Sequence, residues 1–181
     1  MTSSSPAPSS APLIETERLR LRGHRVTDFD ACLAMWTDPL VVRYIGGRAF
    51  TGEEVWTRLL RYVGHWSWVG YGYWAVEDKS GHFLGDVGFA DFKREIEPSI
   101  QGIPELGWVL TSGAHGKGYA TEAVRAAIGW AAAHCRSDKT VCIIHPDNLA
   151  SLRVAEKCGF REDVRTTYKG SPTILFSRPL R

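Results

Sequence analysis

Residues 105–120 read ELGWVLTSGAHGKGYA. The pattern predicts a strand over Glu105–Leu110, a turn over Thr111–Ala114, a glycine-spaced loop over His115–Gly118, and then the first turn of a helix. A chain built this way makes an anion site from its own amides. Gly116 and Gly118 lack a Cβ, so a phosphate can approach their N–H groups, and the following helix points its unpaired amides and positive dipole end at the same place. A plain turn before a helix is the bland reading of the same letters. Two nucleotide-binding alternatives fail on spacing. A Walker loop needs Ser or Thr after its Gly-Lys pair, and Lys117 is followed by Gly118. A Rossmann fingerprint needs Gly or Ala three positions after Gly118, where Thr121 stands; its strand would also open the fold rather than follow three others.

Downstream, Ala120, Ala123, Val124, Ala127, Ile128 and Ala131 recur at helical spacing, which predicts a helix from Thr121 to His134 packed closely on a sheet. Thr140–Ile144 is a β-branched strand. Asn148 can cap a helix Leu149–Cys158, ended by Gly159, and Phe160–Thr167 and Thr173–Ser177 supply the last strands. Upstream, Arg18–Arg22 alternates with period two, predicting a half-buried strand whose arginines face solvent. Thr27 opens a helix stopped by Asp38-Pro39, and the Thr51/Glu54 capping box opens a second, with Val55, Leu59, Tyr62, Val63 and Trp66 as its stripe. Tyr73–Glu77 and Phe83–Ala90 form an antiparallel pair. The aromatic cluster from Trp56 to Trp74 is mostly core, with one or two rings available to line a pocket. Asp91–Pro104 is irregular; its Asp91, Glu95 and Glu97 either draw in a protonated amine or are solvated surface.

The chain has 181 residues, 44% hydrophobic and 23% charged, which suits one soluble domain. Residues 1–12, rich in Ser, Pro and Ala, read as a mobile tail, and 13–181 as the single domain. A net charge of +2 argues against nucleic acid as the main partner. Nothing resembles a signal peptide or membrane span, so the cytoplasm is expected. Cys32, Cys135, Cys142 and Cys158 form no C-x-x-C pair and read as buried, reduced thiols rather than disulfides or a metal site.

The ordered run GWVL, HGKGYATEAV, a strand ending at His145-Pro146, and DNLASLRVAEKCGF resembles the GNAT superfamily of acetyl-CoA-dependent N-acetyltransferases. Within it, the likeness is to the ribosomal-protein N-terminal (alanine/serine) acetyltransferase branch, which also opens with a segment like Ile14–Arg22 and carries one like Gly72–Asp78. The resemblance implies an α+β (mixed α/β) GNAT fold: a mostly antiparallel twisted sheet of about seven strands, splayed in the middle and flanked by about four helices. It implies acetyl-CoA as co-substrate, no metal, and an amine acceptor that is a small molecule or a protein N-terminus, in a monomer or homodimer.

It also implies a site. The loop amides of His115, Gly116, Lys117, Gly118, Tyr119, Ala120 and Thr121 would hold the pyrophosphate. Gly118 and Ala120 match the family pattern there, while His115 stands where Gln or Arg is usual. A backbone N–H near Val109 or Leu110 would bond the thioester carbonyl. Asn148 matches the family asparagine that contacts the pantetheine arm or relays protons, and it can also simply cap its helix. Many members protonate the thiolate with a tyrosine four residues before the closing Gly-Phe; here that position is Ala155, and this branch offers Ser151 instead, which a plain first-turn serine would equally explain. For the amine, Glu105 is the first choice of general base, with Asp86 and His24 behind it, although proximity can make a strong base unnecessary. A coenzyme A-binding regulatory or scaffold protein without turnover is the alternative, as is transfer of a larger acyl group such as succinyl, decided by space near Trp108.

Overall fold

The computed structural model describes residues 10–181. Eight strands form one sheet in the order β1-β2-β3-β4-β5-β6-β8-β7: β1 Ile14–Glu15, β2 Leu19–Arg22, β3 Tyr73–Asp78, β4 Phe83–Ala90, β5 Glu105–Leu110, β6 Lys139–Ile144, β7 Arg161–Tyr168 and β8 Ser171–Pro179. Every neighbouring pair is antiparallel except β5 and β6, which run parallel. A parallel pair needs a crossover, and helix α4, Tyr119–His134, supplies it. The remaining helices are α1 Phe29–Thr37, α2 Pro39–Val42, α3 Gly52–Val69 and α5 Leu149–Lys157.

This mixed sheet, mostly antiparallel with helices on both faces, is the expected fold with one more strand and one more helix. The extra strand is the two-residue β1, too short for a periodic signal. The extra helix, α2, begins at Pro39, which the sequence suggested only as a stop. Asp38 ends α1 and caps α2, its carboxylate accepting from the Leu40 N–H, and proline fits at the first helical position because its missing N–H would have gone unpaired anyway.

Three cores form: one toward α4, one toward α1–α3, and a smaller one of Ile96, Ile100, Val141 and Leu175. Toward α4 lie Leu19, Leu21, Trp74, Val87, Phe89, Leu106, Val124 and Ile128. There Trp66, Trp74 and Trp130 meet edge to face with centroids 4.6–5.3 Å apart, each contact worth about 0.5–1.5 kcal/mol beyond burial. Toward α1–α3 lie Cys32, Trp36, Val55, Leu59, Tyr62, Tyr73 and Val109. The capping box of α3 forms as read: Thr51 Oγ1 accepts from the Glu54 N–H, and Glu54 Oε2 from the Thr51 N–H. From the aromatic cluster, Trp66, Tyr73 and Trp74 are core, whereas Trp56 and Trp68 face outward.

Some expectations change. The arginines of β2 do not all face solvent. Arg22 is buried, donating to Glu77 at 2.6 Å and forking onto Asp28 at 2.8 and 2.9 Å. Alternation could not show this, because its partners sit on β3 and in the turn before α1. For the tail read over residues 1–12, residues 1–9 lie outside the described residues, while the Pro12 carbonyl accepts from Trp74 Nε1 at 2.8 Å and Ala11 packs on the core, so those two belong to the domain. All four cysteines are buried and unbridged. Among the described residues no helix is long and apolar enough to cross a membrane, and no group of three His, Cys, Asp or Glu could hold a metal.

Candidate active site

The parallel strands β5 and β6 touch only at their start, where Glu105 is opposite Val141. The Pro104 carbonyl there accepts from both the Val141 N–H and Thr140 Oγ1. β6 is paired with β8 along its whole length, Lys139–Ile144, and β5 with β4 through Leu110, but β5 and β6 pair with each other at that one point among the described residues, so their facing edges part beyond it and open a cleft. Alternation decides which amides face it. The Thr111 N–H donates to Leu84 O at 2.9 Å, which turns the odd-numbered amides of β5 toward β4; the N–H groups of Trp108 and Leu110 therefore point into the cleft. Of the two amides expected to meet a thioester carbonyl, that of Leu110 faces the cleft and that of Val109 does not, while that of Trp108 does. Val109 does not fit that role because its amide is turned toward β4.

The loop beyond β5 turns through a short 3₁₀ segment, Ser112–Ala114, and then through Gly116 at φ +74° and Gly118 at φ +81°. Both lie in the left-handed region, where a Cβ is penalised, which is the physical reason for glycine here. Gly118 is the N-cap of α4 and has no side chain to cover the first-turn amides of Tyr119, Ala120 and Thr121. His115 turns inward, its Nε2 donating to the Leu110 carbonyl at 3.0 Å, so it braces the strand end rather than reaching outward as a Gln or Arg would. Lys117 is exposed.

Arg18, from the β1–β2 turn, laces this loop in place. It donates to the Lys117 carbonyl at 2.9 Å, pairs with Glu122 in the first turn of α4, and lies 4.7 Å over the Tyr119 ring. Burial acts to raise the Glu122 carboxyl, but the hydrogen bonds from Thr16 and Arg18 outweigh it and hold the group below its ordinary range. Sequence reading missed this contact, since 104 positions separate the partners and no spacing rule joins them.

On the β6 side of the cleft, Asn148 caps α5, its Oδ1 accepting from the Ser151 N–H at 3.2 Å. The cap reading of Asn148 therefore holds, and its amide nitrogen is unspent by that bond. The Ser151 hydroxyl, part-exposed, makes no hydrogen bond to protein among the described residues. Ala155, at the position where the resemblance would place a tyrosine, is fully buried.

The opposite face of β5 carries the odd-numbered side chains. Glu105 is buried and clamped by Arg94, with Nε to Oε2 at 2.6 Å and Nη2 to Oε1 at 2.8 Å. Both its oxygens are occupied. It also stands at the closed end, about 10 Å along the strand from Trp108 and about 17 Å from Leu110 at 3.4 Å per residue. A direct general base is not what this geometry offers, and sequence could not reveal it because Arg94 comes from an irregular segment. In that segment Asp91 serves the backbone, accepting from the Lys93 and Gly102 N–H groups, while Glu95 and Glu97 line an open groove with Arg94, Ser99 and Thr166.

His24 and Asp86, the other base candidates, come together: Nε2 to Oδ1 is 2.8 Å and both side chains are sealed from solvent. Among the described residues neither His24 Nδ1 nor Asp86 Oδ2 has a hydrogen-bond partner. Beside them Tyr62 lies flat on Tyr73, rings 4.1 Å apart. Tyr73 reaches β5 so closely that a Cβ on Gly107 would collide with its hydroxyl, and the buried ring, stacked on Tyr62, has little room to shift, which favours glycine at 107. Burial pushes Tyr62 up to about 12 and Tyr73 well above its ordinary value, so at neutral pH both are neutral hydroxyls that can donate.

A splayed parallel pair, a glycine loop capping the crossover helix and a second capped helix across the cleft are the parts of an acyltransferase fold. The chain belongs to the acetyltransferase (GNAT) domain family, whose pattern matches residues 18–161. It is 31% identical over 168 residues to YkkB, an uncharacterized protein of Bacillus subtilis (strain 168), covering 90% of this chain and 93% of that protein. Among solved structures, a GnaT-family acetyltransferase from Bordetella pertussis superposes with a TM-score of 0.81 at 30% identity, covering 93% of this chain and 99% of that one. A ribosomal L7/L12 alpha-N-protein acetyltransferase in complex with coenzyme A superposes with a TM-score of 0.74 at 17% identity over 93% of this chain and 98% of that one, a likeness of fold.

Proposed function

We propose that this protein is an acyl-CoA-dependent N-acyltransferase that moves an acetyl group from acetyl-CoA to a primary amine. The observation that carries the reading is the divergence of β5 from β6 immediately before a left-handed glycine loop and an uncovered helix start. A pantetheine arm is a narrow, amide-bearing chain and needs an open strand edge; a pyrophosphate needs amides without side chains in the way. The surroundings of Gly116 fit, since nothing lies within 4 Å of where its Cβ would be.

Bound acetyl-CoA would supply an acyl group on sulfur; the amine nitrogen bonds to the acyl carbon, the carbon–sulfur bond breaks, and the proton lost by the amine is matched by one gained by the thiolate. In this reading the amides from Gly116 to Thr121 hold the pyrophosphate, helped by the charge of Lys117. The Trp108 and Leu110 N–H groups polarise the carbonyl, a contribution of about 3–4 kcal/mol if each behaves as a preorganised oxyanion donor. His115, by holding the Leu110 carbonyl, keeps that strand end aimed. Asn148 orients the arm with the part of its amide that the cap leaves over, and Ser151 gives its proton to the sulfur. The amine enters from the Tyr73 face and loses its proton to water, while Glu105 acts as a positioning residue by fixing Arg94.

A ribosomal-protein N-terminus as acceptor draws support from fold-level likeness alone. The test is calorimetric titration with acetyl-CoA, followed by release of coenzyme A thiol with a panel of amines. Binding with amine-dependent thiol release is expected. Binding without release from any amine would favour a coenzyme A-binding regulator, and absence of binding would overturn the reading.

A further inference from the structure

Three guanidinium groups gather on the Tyr73 face of β5, and only one has a carboxylate. Arg94 is matched by Glu105. Arg58 and Arg61, one turn apart on α3, have no carboxylate within 4.0 Å among the described residues. Arg58 lies 3.9 Å over Trp36 and 5.0 Å over Phe50; its one hydrogen bond is a long contact of 3.4 Å to the Tyr62 hydroxyl, and its buried Nε has no acceptor. Arg61 and Arg94 both lie over Phe92, at 4.8 and 4.7 Å. A guanidinium has five N–H donors and aromatic faces accept none of them well, so most of this hydrogen-bonding capacity is unspent.

Like charges crowded together destabilise each other unless an anion joins them. Arg61, although its side chain reaches solvent, registers that crowding: burial first and then the charge of Arg58 push its pKa down, and Arg94 adds to this, against an opposing pull from Tyr62 and Tyr73. The chain connects this group to the chemistry directly. Arg58 contacts the Tyr62 hydroxyl, Tyr62 stacks on Tyr73, and Tyr73 rests against Gly107 of β5, one residue from Trp108. A cover for Trp36 would need one arginine; it would not need a second on the next turn and a third, already paired, on the same ring.

We infer that the acceptor is a small amine that also carries a carboxylate, an amino acid in the broad sense, with the carboxylate bound by Arg58 and Arg61. Planar forks bind carboxylates in two-point fashion, and the rings of Trp36, Phe50 and Phe92 support the two guanidinium groups from one side. The inference rests on the transferase reading above and narrows its acceptor.

The test compares the twenty L-amino acids with their carboxamides as acceptors, for the wild-type chain and for Arg61→Gln and Arg58→Gln, with acetyl-CoA affinity measured in parallel by calorimetry. For the wild type, kcat/KM for the best acid should exceed that for its amide by about tenfold or more, the size of one charge-assisted hydrogen bond. Each substitution should collapse that ratio toward one. Arg61→Gln is the safer variant because its side chain reaches solvent. A wild-type ratio near one, a ratio unmoved by either substitution, or acetylation of neither set by a chain that binds acetyl-CoA would overturn the carboxylate inference alone. Loss of acetyl-CoA binding in the wild type would instead overturn the transferase reading beneath it.

Discussion

Gly118 holds φ +81° at the start of α4 with its Cβ position 3.4 Å from Arg18 Nη2. A β-branched residue forced into that region costs on the order of 1–3 kcal/mol or swings the loop away. Gly118→Val should therefore weaken acetyl-CoA binding roughly tenfold or more, with the far-ultraviolet spectrum unchanged; calorimetry on the purified variant checks it, and unchanged affinity would place the pyrophosphate elsewhere. Ser151 offers a cleaner separation of binding from chemistry. Its backbone N–H, not its hydroxyl, makes the cap to Asn148, so Ser151→Ala keeps the helix start intact. If the hydroxyl protonates the thiolate, kcat should fall by about 10- to 1,000-fold with little change in acetyl-CoA affinity. A fall of less than about threefold would transfer the step to water.

Between elements, one buried junction ties β2 to β3 and to the turn before α1. Arg22 sits between Glu77 and Asp28, and the Arg25 N–H also donates to Asp28 at 2.7 Å. Burial alone would raise the Asp28 carboxyl; the hydrogen bonds from Arg22 and Arg25 and the charge of Arg22 override it and leave it below its ordinary value. A carboxylate whose folded pKa is depressed adds stability that is fully present above its unfolded value, near 3.9, and is lost as pH falls through the lower folded value. Asp28→Asn, which leaves the buried Arg22 with half its counter-charge, should cost about 3 kcal/mol at pH 7. The difference between wild type and variant should shrink at about pH 2.5, read from denaturant midpoints at the two pH values. A difference that stays constant across that range would mean that Asp28 acts by shape and not by charge.

The whole molecule relies on its hydrophobic cores rather than on cross-links. Its four thiols are buried without a bridge, and burial pushes Cys135 up to about 11 and raises Cys32 and Cys142 further. A protonated, enclosed thiol neither exchanges nor ligates. The melting temperature should accordingly be the same with and without reductant, and with and without a chelator, by scanning calorimetry. A drop with reductant would reveal a cross-link, and a drop with chelator a metal.

The elements were legible in the sequence because each is coded by neighbours within a turn or two: the Glu105–Leu110 strand, the glycines that must be left-handed, the Thr51/Glu54 box, the Asn148 cap. Helix ends shifted by a residue or two, α4 starting at Tyr119 and not Thr121, where Arg18 packs over Tyr119 in the first turn. What no local pattern contains is pairing across the chain. That Glu105 is clamped by Arg94, that His24 meets Asp86 across 62 positions, and that Trp108 and Leu110 rather than Val109 face the cleft follow from register and crossover geometry. The glycine loop could be read from the letters because it is a short, contiguous object. The proposed acceptor side draws on α3, β3, β5 and the 91–104 segment, so only the folded chain could bring Arg58, Arg61 and Tyr73 to one face.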